Sequence, residues 1–416
     1  MPGKQTIALS LFRISIVIAL SLCFTMISLA DPVKIGFCTS LSGVYKSLGT
    51  DMRDGLDLYM EKIGYKAGGR DIEVLVRNIQ SNVVTLALDT AHQLIEKDKI
   101  DILAGVVDSG CAYRLATLAT EREIPFVISN AGADDVTQRD AGPYTVRVSF
   151  SNSGGGHPLG AWAYEQGYRK AVALGPANAA GYEQIGGMAR TFTKMGGQVV
   201  QELWTRLGTQ DFKPLLAEIR PDADVALVFF AGGDAPRFIQ QFAESGLRGK
   251  IAVVAKGFLV DENVLAKQGK NAEGIVSESH WSLLVDNPQN RKFKSDFTKK
   301  FGRAPTLYAE QGYITGMAIA EALEKSRGEV RGQDFVKIMR SLELKAPRGT
   351  ITFDAYGGII QNYYIRRVQL LGDQWQNDII TSNPSLSQFW IWSPEEFMAM
   401  PRYTEMAGKW AGTPKP

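Results

Sequence analysis

The chain has 416 residues, of which 45% are hydrophobic and 22% are charged. This composition is typical of a globular protein and excludes disordered, collagen-like and polytopic membrane proteins. Since a domain usually has about 100–200 residues, the length predicts two or three domains. Lys and Arg number 46 against 44 Asp and Glu, and residues 1–30 hold two of the basic residues and no acid. The remainder is neutral, 44 against 44, which argues against nucleic-acid binding, because that binding depends on phosphate neutralisation.

Residues 1–30 have the layout of a secretory signal peptide. Lys4 and Arg13 precede an apolar stretch, Ile14–Leu29, and small residues precede a cleavage point after Ala30. The stretch is short for a membrane span, which needs about 20 apolar residues, so we prefer cleavage to a membrane anchor. We therefore expect an exported protein in a bacterial periplasm.

Two cysteines, Cys38 and Cys111, remain beyond residue 30. Two are too few for a disulfide framework or a zinc site. One bridge is allowed in an oxidising compartment, but Cys38 lies in a predicted strand and Cys111 at a predicted helix start. We prefer to interpret both as buried free thiols.

Short β-rich runs alternate with stretches of helical periodicity in the first part of the chain. The apolar runs are continuous, as in parallel strands covered on both faces, and the alternation predicts a doubly wound α/β sheet. The predicted strands are Val33–Ser40, Ile72–Asn78, Asp101–Val107, Pro125–Asn130 and Tyr144–Ser149, and the helices are Met52–Ile63, Val84–Lys97 and Ala112–Arg122.

A glycine-rich stretch, Ser151–Gly156, is interpreted as a hinge before a second α/β series. A helical block at Asn287–Leu344 and two further strands follow that series. The predicted strands are Lys170–Gly175, Gln198–Thr205, Val225–Gly232, Ile251–Lys256, Gly274–His280, Gly349–Tyr356 and Tyr363–Leu371, and the helices are Tyr182–Met195, Phe212–Ile219 and Pro236–Ser245.

Motifs for catalysis and for metal binding are absent from the sequence. The three histidines, His92, His157 and His280, lack metal-ligand spacing. Ser109 lies in Val107-Asp108-Ser109-Gly110-Cys111, which is not a nucleophile elbow, and no phosphate-binding glycine motif occurs. These absences favour a binding protein without cofactor or metal over an enzyme, although a catalytic triad is defined by geometry rather than by sequence.

A series of short segments follows one order and spacing along residues 31–370. The segments include Ile35-Gly36, Leu41-Ser42-Gly43, Gly105 to Ser109, Ile124-Pro125, Ala180-Gly181-Tyr182, Asp286-Asn287-Pro288 and Tyr308–Tyr313. Together they resemble the periplasmic branched-chain amino-acid (Leu/Ile/Val) binding protein family, the solute-binding proteins of ABC importers. Gln388-Phe389-Trp390 and Pro394-Glu395-Glu396-Phe397 are similar to its subgroup associated with aromatic compounds.

The resemblance implies the type I periplasmic-binding-protein fold, which is α/β with two doubly wound lobes joined by a hinge. We expect an N-terminal lobe at residues 31–149 and 282–346, a C-terminal lobe at 150–281 and 347–385, and a tail at 386–416 packed on the lobes. Ligands of such sheets bind beyond the carboxyl ends of the strands. The candidate ligand-binding residues in those loops are Tyr45, Leu48, Asp108, Ser109, Gly110, Asn130, Ala131, Ala133, Ala180, Tyr182, Asp234, Lys256, Phe258, Trp281 and Tyr308.

Ser109 is the strongest candidate, because it stands just before the predicted helix Ala112–Arg122. It either caps that helix or helps the free amides there to hold a carboxylate, as the matching family serine does, and we favour the second role. By the same resemblance Ala131 offers backbone groups to the ligand. Ala133 stands where the amino-acid binders have Thr, so one hydroxyl contact to the carboxylate is missing.

Lys256 differs from the family pattern in charge. The amino-acid binders have Glu at this place, where it pairs with the ammonium group of the ligand. A lysine attracts an anion instead, and the change of sign is worth several kcal/mol at about 4 Å in a partly desolvated cleft. A surface position for Lys256 stays open. Asp108 and Asp234 argue against an anion, and we expect them to bind a hydroxyl or an amine or to face water.

Five aromatic residues in or beside these loops favour a flat ligand, because rings pair with rings in offset or edge contacts. They are Tyr45, Tyr182, Phe258, Trp281 and Tyr308. We therefore predict a monomeric solute-binding protein that captures a small carboxylate, preferably an aromatic acid, and delivers it to the permease of an ABC importer. A branched-chain amino acid is the second choice of ligand. A periplasmic hydrolase that uses Ser109 and a ligand-sensing partner of a membrane receptor stay open.

Overall fold

Buried apolar runs form two largely parallel sheets with helices on both faces. Every residue of Ile102–Gly105, Phe126–Ile128 and Val225–Val228 is buried, as parallel strands between two helical layers must be. The computed structural model describes residues 31–411, and from Val33 onward the chain belongs to one unit. The predicted signal peptide with its cleavage after Ala30 lies outside the described residues.

The first sheet and its helices make up what we call the first lobe. Its sheet contains β1 Val33–Thr39, β2 Lys66–Ala67, β3 Arg70–Asn78, β4 Ile102–Gly105, β5 Phe126–Ile128 and β6 Thr145–Arg147, in the order β2-β3-β1-β4-β5-β6. All neighbours are parallel except β2 and β3. Its helices are α1 Lys46–Lys62, α2 Val84–Gln93 and α3 Ser109–Glu121, and a π turn at Leu94–Asp98 extends α2.

The second lobe repeats this topology. Its strands are β7 Lys170–Pro176, β8 Gln198–Thr205, β9 Val225–Val228, β10 Ala252–Lys256, β11 Val276–Ser279, β12 Leu344–Ala346, β13 Gly349–Phe353, β14 Ile359–Leu371 and β15 Gln374–Leu386. The order β8-β7-β9-β10-β11 matches β3-β1-β4-β5-β6, and the last strands add an antiparallel edge. Its helices are α4 Gly156–Glu165, α5 Ala179–Lys194, α6 Lys213–Ala217, α7 Asp234–Glu244 and α8 Glu262–Gln268. The prediction of two doubly wound lobes is confirmed.

Three helices connect the second lobe back to the first: α9 Pro288–Phe301, α10 Leu307–Ser326 and α11 Gly332–Arg340. Helix α10 packs directly on α1, since a Cβ added to Gly312 would lie 1.8 Å from the carbonyl oxygen of Met52. Only glycine allows backbones to approach so closely. A fully buried ion pair between Arg348 and Glu310 then ties the start of β13 to α10.

Helix α4 is missing from the sequence prediction, which gives a flexible hinge at Ser151–Gly156. The turn at these residues instead leads directly into α4, which begins at Gly156. The last of its glycines, Gly156, lies against α5, where an added Cβ would be 3.0 Å from the backbone nitrogen of Met188. Gly160 in the next turn is closer still, because a Cβ there would lie 2.3 Å from the carbonyl oxygen of Met188. These two glycines allow α4 to pack on α5. Strand β15 is also absent from the sequence prediction.

A segment at the end of the described chain, residues 387–411, contacts both lobes; we call it the C-terminal strap. On the first lobe, Arg402 makes an ion pair of 2.8 Å with Asp135. On the second lobe, Arg190 of α5 donates a hydrogen bond of 2.7 Å to the carbonyl oxygen of Pro401. The strap contains two short helices, α12 Pro394–Ala399 and α13 Tyr403–Met406.

Cys38 and Cys111 are free and buried, as preferred from the sequence. Burial raises the pKa of Cys38 to about 12, so its thiol stays protonated at neutral pH. Among residues 31–411, no helix has both the length and the apolar character needed to cross a lipid bilayer.

Candidate ligand-binding site

A cavity lies where the carboxyl ends of the strands of both lobes meet. It contains about 350 Å³ of atom-free space, part of which is open to solvent. Its walls come from the loops and helix starts after β1, β4, β5 and β6 of the first lobe and after β7, β9 and β10 of the second, and from the start of α10. The ends of the strands are where doubly wound sheets hold ligands. The lining residues are Tyr45, Leu48, Val107, Asp108, Ser109, Asn130, Gly132, Phe150, Asn152, Ala180, Gln184, Phe229, Ala231, Phe258 and Tyr308.

The two lobes touch each other beside this cavity. The backbone amide of Gly233 in the second lobe donates a 3.2 Å hydrogen bond to the carbonyl oxygen of Val44 in the first. Elsewhere the hydroxyl of Tyr113 on α3 donates a 2.6 Å hydrogen bond to Oε1 of Glu183 on α5. The two lobes are therefore in direct contact, and we call this the closed arrangement.

Aromatic rings form one wall of the cavity around Phe258. The ring centroid of Phe258 lies 5.1 Å from that of Phe150, 5.8 Å from that of Phe229 and 6.1 Å from that of Tyr308. Phe150 also stacks on His280 at 5.2 Å. Burial lowers the pKa of His280 well below its ordinary value, so this ring is neutral and acts as part of the apolar support.

Helix α3 begins at the cavity and contributes the polar residues Asp108 and Ser109 to its lining. Asp108 is extended and its Oδ1 accepts a 3.1 Å hydrogen bond from the amide of Cys111, so Asp108 is the N-cap. Helix α3 starts at Ser109, three residues earlier than predicted, and the capping role considered for Ser109 belongs to Asp108. Oγ of Ser109 accepts a 3.0 Å hydrogen bond from Nδ2 of Asn152.

Asp108 is the one carboxylic acid among the described residues that line the cavity, and no lysine or arginine of that set joins it. Burial raises the pKa of Asp108, and the amide hydrogen bonds of Cys111 and Gly110 oppose that shift. The carboxyl group of Asp108 thus interacts with the partial positive charge at the N-terminus of the helix that it caps.

Two buried carboxyl groups lie directly behind Asn152, one from each lobe. Oε2 of Glu183 accepts hydrogen bonds from the amide of Asp134 at 3.2 Å and from Nδ2 of Asn152 at 2.7 Å. Burial raises the pKa of Glu183 well above its ordinary value, and the nearby charge of Asp134 adds to the shift. Ser151 donates a 2.6 Å hydrogen bond to Asp134, whose pKa burial also raises.

Eight of the fifteen candidate residues line the cavity, namely Tyr45, Leu48, Asp108, Ser109, Asn130, Ala180, Phe258 and Tyr308. The structure places Gly110, Ala131 and Ala133 in the adjoining backbone of the first lobe. The amide of Ala131 donates to Val106, and the carbonyl oxygen of Ala133 accepts from Arg147.

Lys256 does not face the cavity, contrary to the expected attraction of an anionic ligand. Its ammonium group pairs with Glu278 of the next strand, and each side chain is only 2% exposed. An isolated buried charge is very unfavourable, so the lysine and the glutamate require each other. The alternative of a surface position is also wrong, because Lys256 lies within the second lobe.

Three further candidates have structural partners outside the cavity lining. Asp234 pairs with Arg237, Nε1 of Trp281 donates a 2.9 Å hydrogen bond to Asn290, and Tyr182 packs edge-on against Trp204 at 4.8 Å. Asp234 and Tyr182 lie in the first turns of α7 and α5, and Trp281 follows β11. A position after a strand therefore did not reveal which way these side chains point.

Seven lining residues were not predicted: Val107, Gly132, Phe150, Asn152, Gln184, Phe229 and Ala231. All but Gln184 lie within five residues of the end of an observed strand. Val107, Phe229 and Ala231 were missed because the predicted strands Asp101–Val107 and Val225–Gly232 extend too far and include them. Gln184 carries a different signal, because it lies four residues after Ala180 and thus on the same face of α5.

Two repeated doubly wound lobes closed over a cavity define a two-lobe ligand-binding protein. A family model described as "Periplasmic binding protein" matches residues 32–374. The chain belongs to this family.

Relatives and solved structures agree with that assignment. "Leu/Ile/Val-binding protein homolog 6" of Brucella suis is 27% identical over 350 residues, which is 83% of this chain and 89% of that one. A solute-binding protein of an ABC transporter from R. palustris in complex with benzoate is 30% identical, with a TM-score of 0.80 over 86% of this chain and 97% of that chain. Another from Rhodopseudomonas palustris BisB5, in complex with 3,4-dihydroxy benzoic acid, is 29% identical, with a TM-score of 0.82 over 86% and 98%.

Proposed function

We propose that this protein captures a small aromatic carboxylate between its lobes in the periplasm and delivers it, as a monomer, to the membrane permease of an ABC importer. The observation that carries the proposal is the composition of one cavity lined by both lobes. It combines an aromatic wall around Phe258 with the N-terminus of helix α3 at Ser109.

The carboxylate of the ligand is assigned to the start of α3. This helix has 13 residues, and its first amides carry a partial positive charge that favours anions. The hydroxyl of Ser109 accepts from Asn152 and keeps its own hydrogen to donate. An anion is therefore held by dipoles rather than by a cation, and Lys256 is not needed for this purpose.

The ring of the ligand is assigned to the wall formed by Phe150, Phe229, Phe258 and Tyr308. Ring pairs in offset or edge geometry contribute about 0.5–1.5 kcal/mol each beyond the burial of area. The two neighbours in complex with benzoate and 3,4-dihydroxy benzoic acid support a ligand of this class.

A branched-chain amino acid is the second candidate. Asp108 on the cavity wall offers a carboxyl group to an ammonium, Leu48 and Val107 offer apolar contacts, and curated relatives are named Leu/Ile/Val-binding. The cap hydrogen bond to Cys111 already engages Asp108, which is why we rank the aromatic acid first.

A hydrolase mechanism lacks its base in this arrangement. Ser109 needs a histidine to take its proton, but His157 contacts Thr191 and His280 contacts Gln311. His92 lies beside Glu96 on the surface. We therefore propose a binding role rather than an enzymatic one.

Isothermal titration of the chain from Asp31 with benzoate, 4-hydroxybenzoate, leucine and valine tests the proposal. We expect binding of an aromatic acid in the micromolar range or tighter, and a loss of about tenfold or more in Ser109→Ala, since hydrogen bonds to charged groups are worth about 1.5–3 kcal/mol. Ser341→Ala, at an exposed position after α11, is the control. Tight leucine binding without any response to the aromatic acids would reverse the ranking.

A further inference from the structure

One cavity-lining side chain has a buried polar atom without a partner. Gln184 is 1% exposed, and its Oε1 accepts no hydrogen bond from any part of the chain that the structure describes. Buried acceptors nearly always accept a hydrogen bond, and a buried acceptor without one costs free energy. A donor group on a ligand would recover that free energy.

The hydrogen bonds of its neighbours orient this amide. Nδ2 of Asn152 donates to Oε2 of Glu183 at 2.7 Å, and Oε2 also accepts from the backbone amide of Asp134. Oδ1 of Asn152 accepts from Nε2 of Gln184 at 2.9 Å, which leaves Oε1 of Gln184 as the amide atom without a hydrogen-bond partner.

The same asparagine connects Gln184 to the assigned carboxylate site. Nδ2 of Asn152 donates to Oγ of Ser109 at 3.0 Å, while Oδ1 accepts from Gln184. One side chain thus separates the two groups, and one small ligand is able to contact both. A glutamine also suits an anionic ligand, because its amide oxygen accepts a hydrogen bond without the repulsion of a carboxylate.

We propose that Gln184 selects ligands that carry a hydrogen-bond donor besides the carboxylate, and hence hydroxylated aromatic acids over unsubstituted ones. The inference rests on the proposed function and narrows its ligand class. A site whose buried polar group pairs with a ligand hydroxyl discriminates strongly against an analogue without it.

Isothermal titration with benzoate, its 2-, 3- and 4-hydroxy derivatives and the matching methoxy ethers tests the inference. We expect at least one hydroxybenzoate to bind tenfold or more tightly than benzoate and than its own ether, which lacks the donor. In Gln184→Met, which keeps the length but removes the acceptor, this preference should fall to threefold or less. Gln268→Met is the matched control, because Gln268 is a buried glutamine of the second lobe outside the cavity lining, and it should retain the preference.

Equal affinities for benzoate, the hydroxybenzoates and the ethers in the unmodified protein would overturn the inference without any variant. A preference that persists in Gln184→Met, with its fold verified by circular dichroism, would overturn it as well. A protein that binds none of these acids would overturn the proposed function, and the inference with it.

Discussion

Replacing Arg348 by Met should destabilise the protein severely. Arg348 and Glu310 are both completely buried and form an ion pair. Nη1 of Arg348 also donates to the carbonyl oxygen of Ser149 at 2.9 Å and to Oε1 of Gln361 at 2.7 Å. The variant leaves the buried carboxyl of Glu310 and Oε1 of Gln361 without their arginine donor, whereas the carbonyl oxygen of Ser149 still accepts from Nε2 of Gln361. Removal of one partner of a buried ion pair costs about 3–5 kcal/mol.

Equilibrium urea unfolding, followed by far-ultraviolet circular dichroism, measures this loss. Lys345→Met is the matched control, since Lys345 pairs with Glu343 at side-chain exposures of 61% and 59%, and an exposed pair contributes about 1 kcal/mol or less. Adding Glu310→Leu to Arg348→Met should recover much of the stability, because the uncompensated acid is then removed. A loss in Arg348→Met no larger than in the control would refute the reasoning.

Three further results are expected. Ligand affinity should fall as the pH rises above 4.5, the ordinary pKa of glutamate, because the pKa of Glu183 is raised in the closed state and the closed state therefore binds a proton more tightly than the open one. Calorimetric titrations at several pH values should show a weaker pH dependence of affinity in Glu183→Gln. Tyr113→Phe removes one hydrogen bond between the lobes and should weaken binding by about 3- to 10-fold in the same calorimetric assay, and an unchanged affinity would contradict its role in closure. Cys38 and Cys111 should react with maleimide in urea but not in the native protein, because burial raises both pKa values.

The sequence predicts the fold well where one physical signal dominates. Continuous apolar runs such as Val225–Val228 identify buried parallel strands, and the alternation with helices identifies the doubly wound lobes. Positions directly after strands identify half of the cavity wall, including Ser109 and Phe258. Strand β15 escaped prediction because its polar, largely exposed residues carry no strong periodicity.

Side-chain direction is what the sequence does not determine. Lys256 follows the expected backbone position at the end of β10, yet it turns to Glu278, a partner that only the pairing of two strands brings close. Ser151–Gly156 has the composition of a flexible hinge, but its last glycine begins α4 and lies against the backbone of α5. Both outcomes depend on tertiary neighbours, and local composition contains no information about them.

The C-terminal strap changes the mechanics of such a molecule. A segment fixed to the first lobe through Arg402 and to the second through Arg190 acts as a tether across the moving parts. We expect the extent of lobe opening, and with it the rate of ligand dissociation, to depend on how much of this tether must detach. Residues of the strap would then influence the residence time of the ligand without lining the cavity.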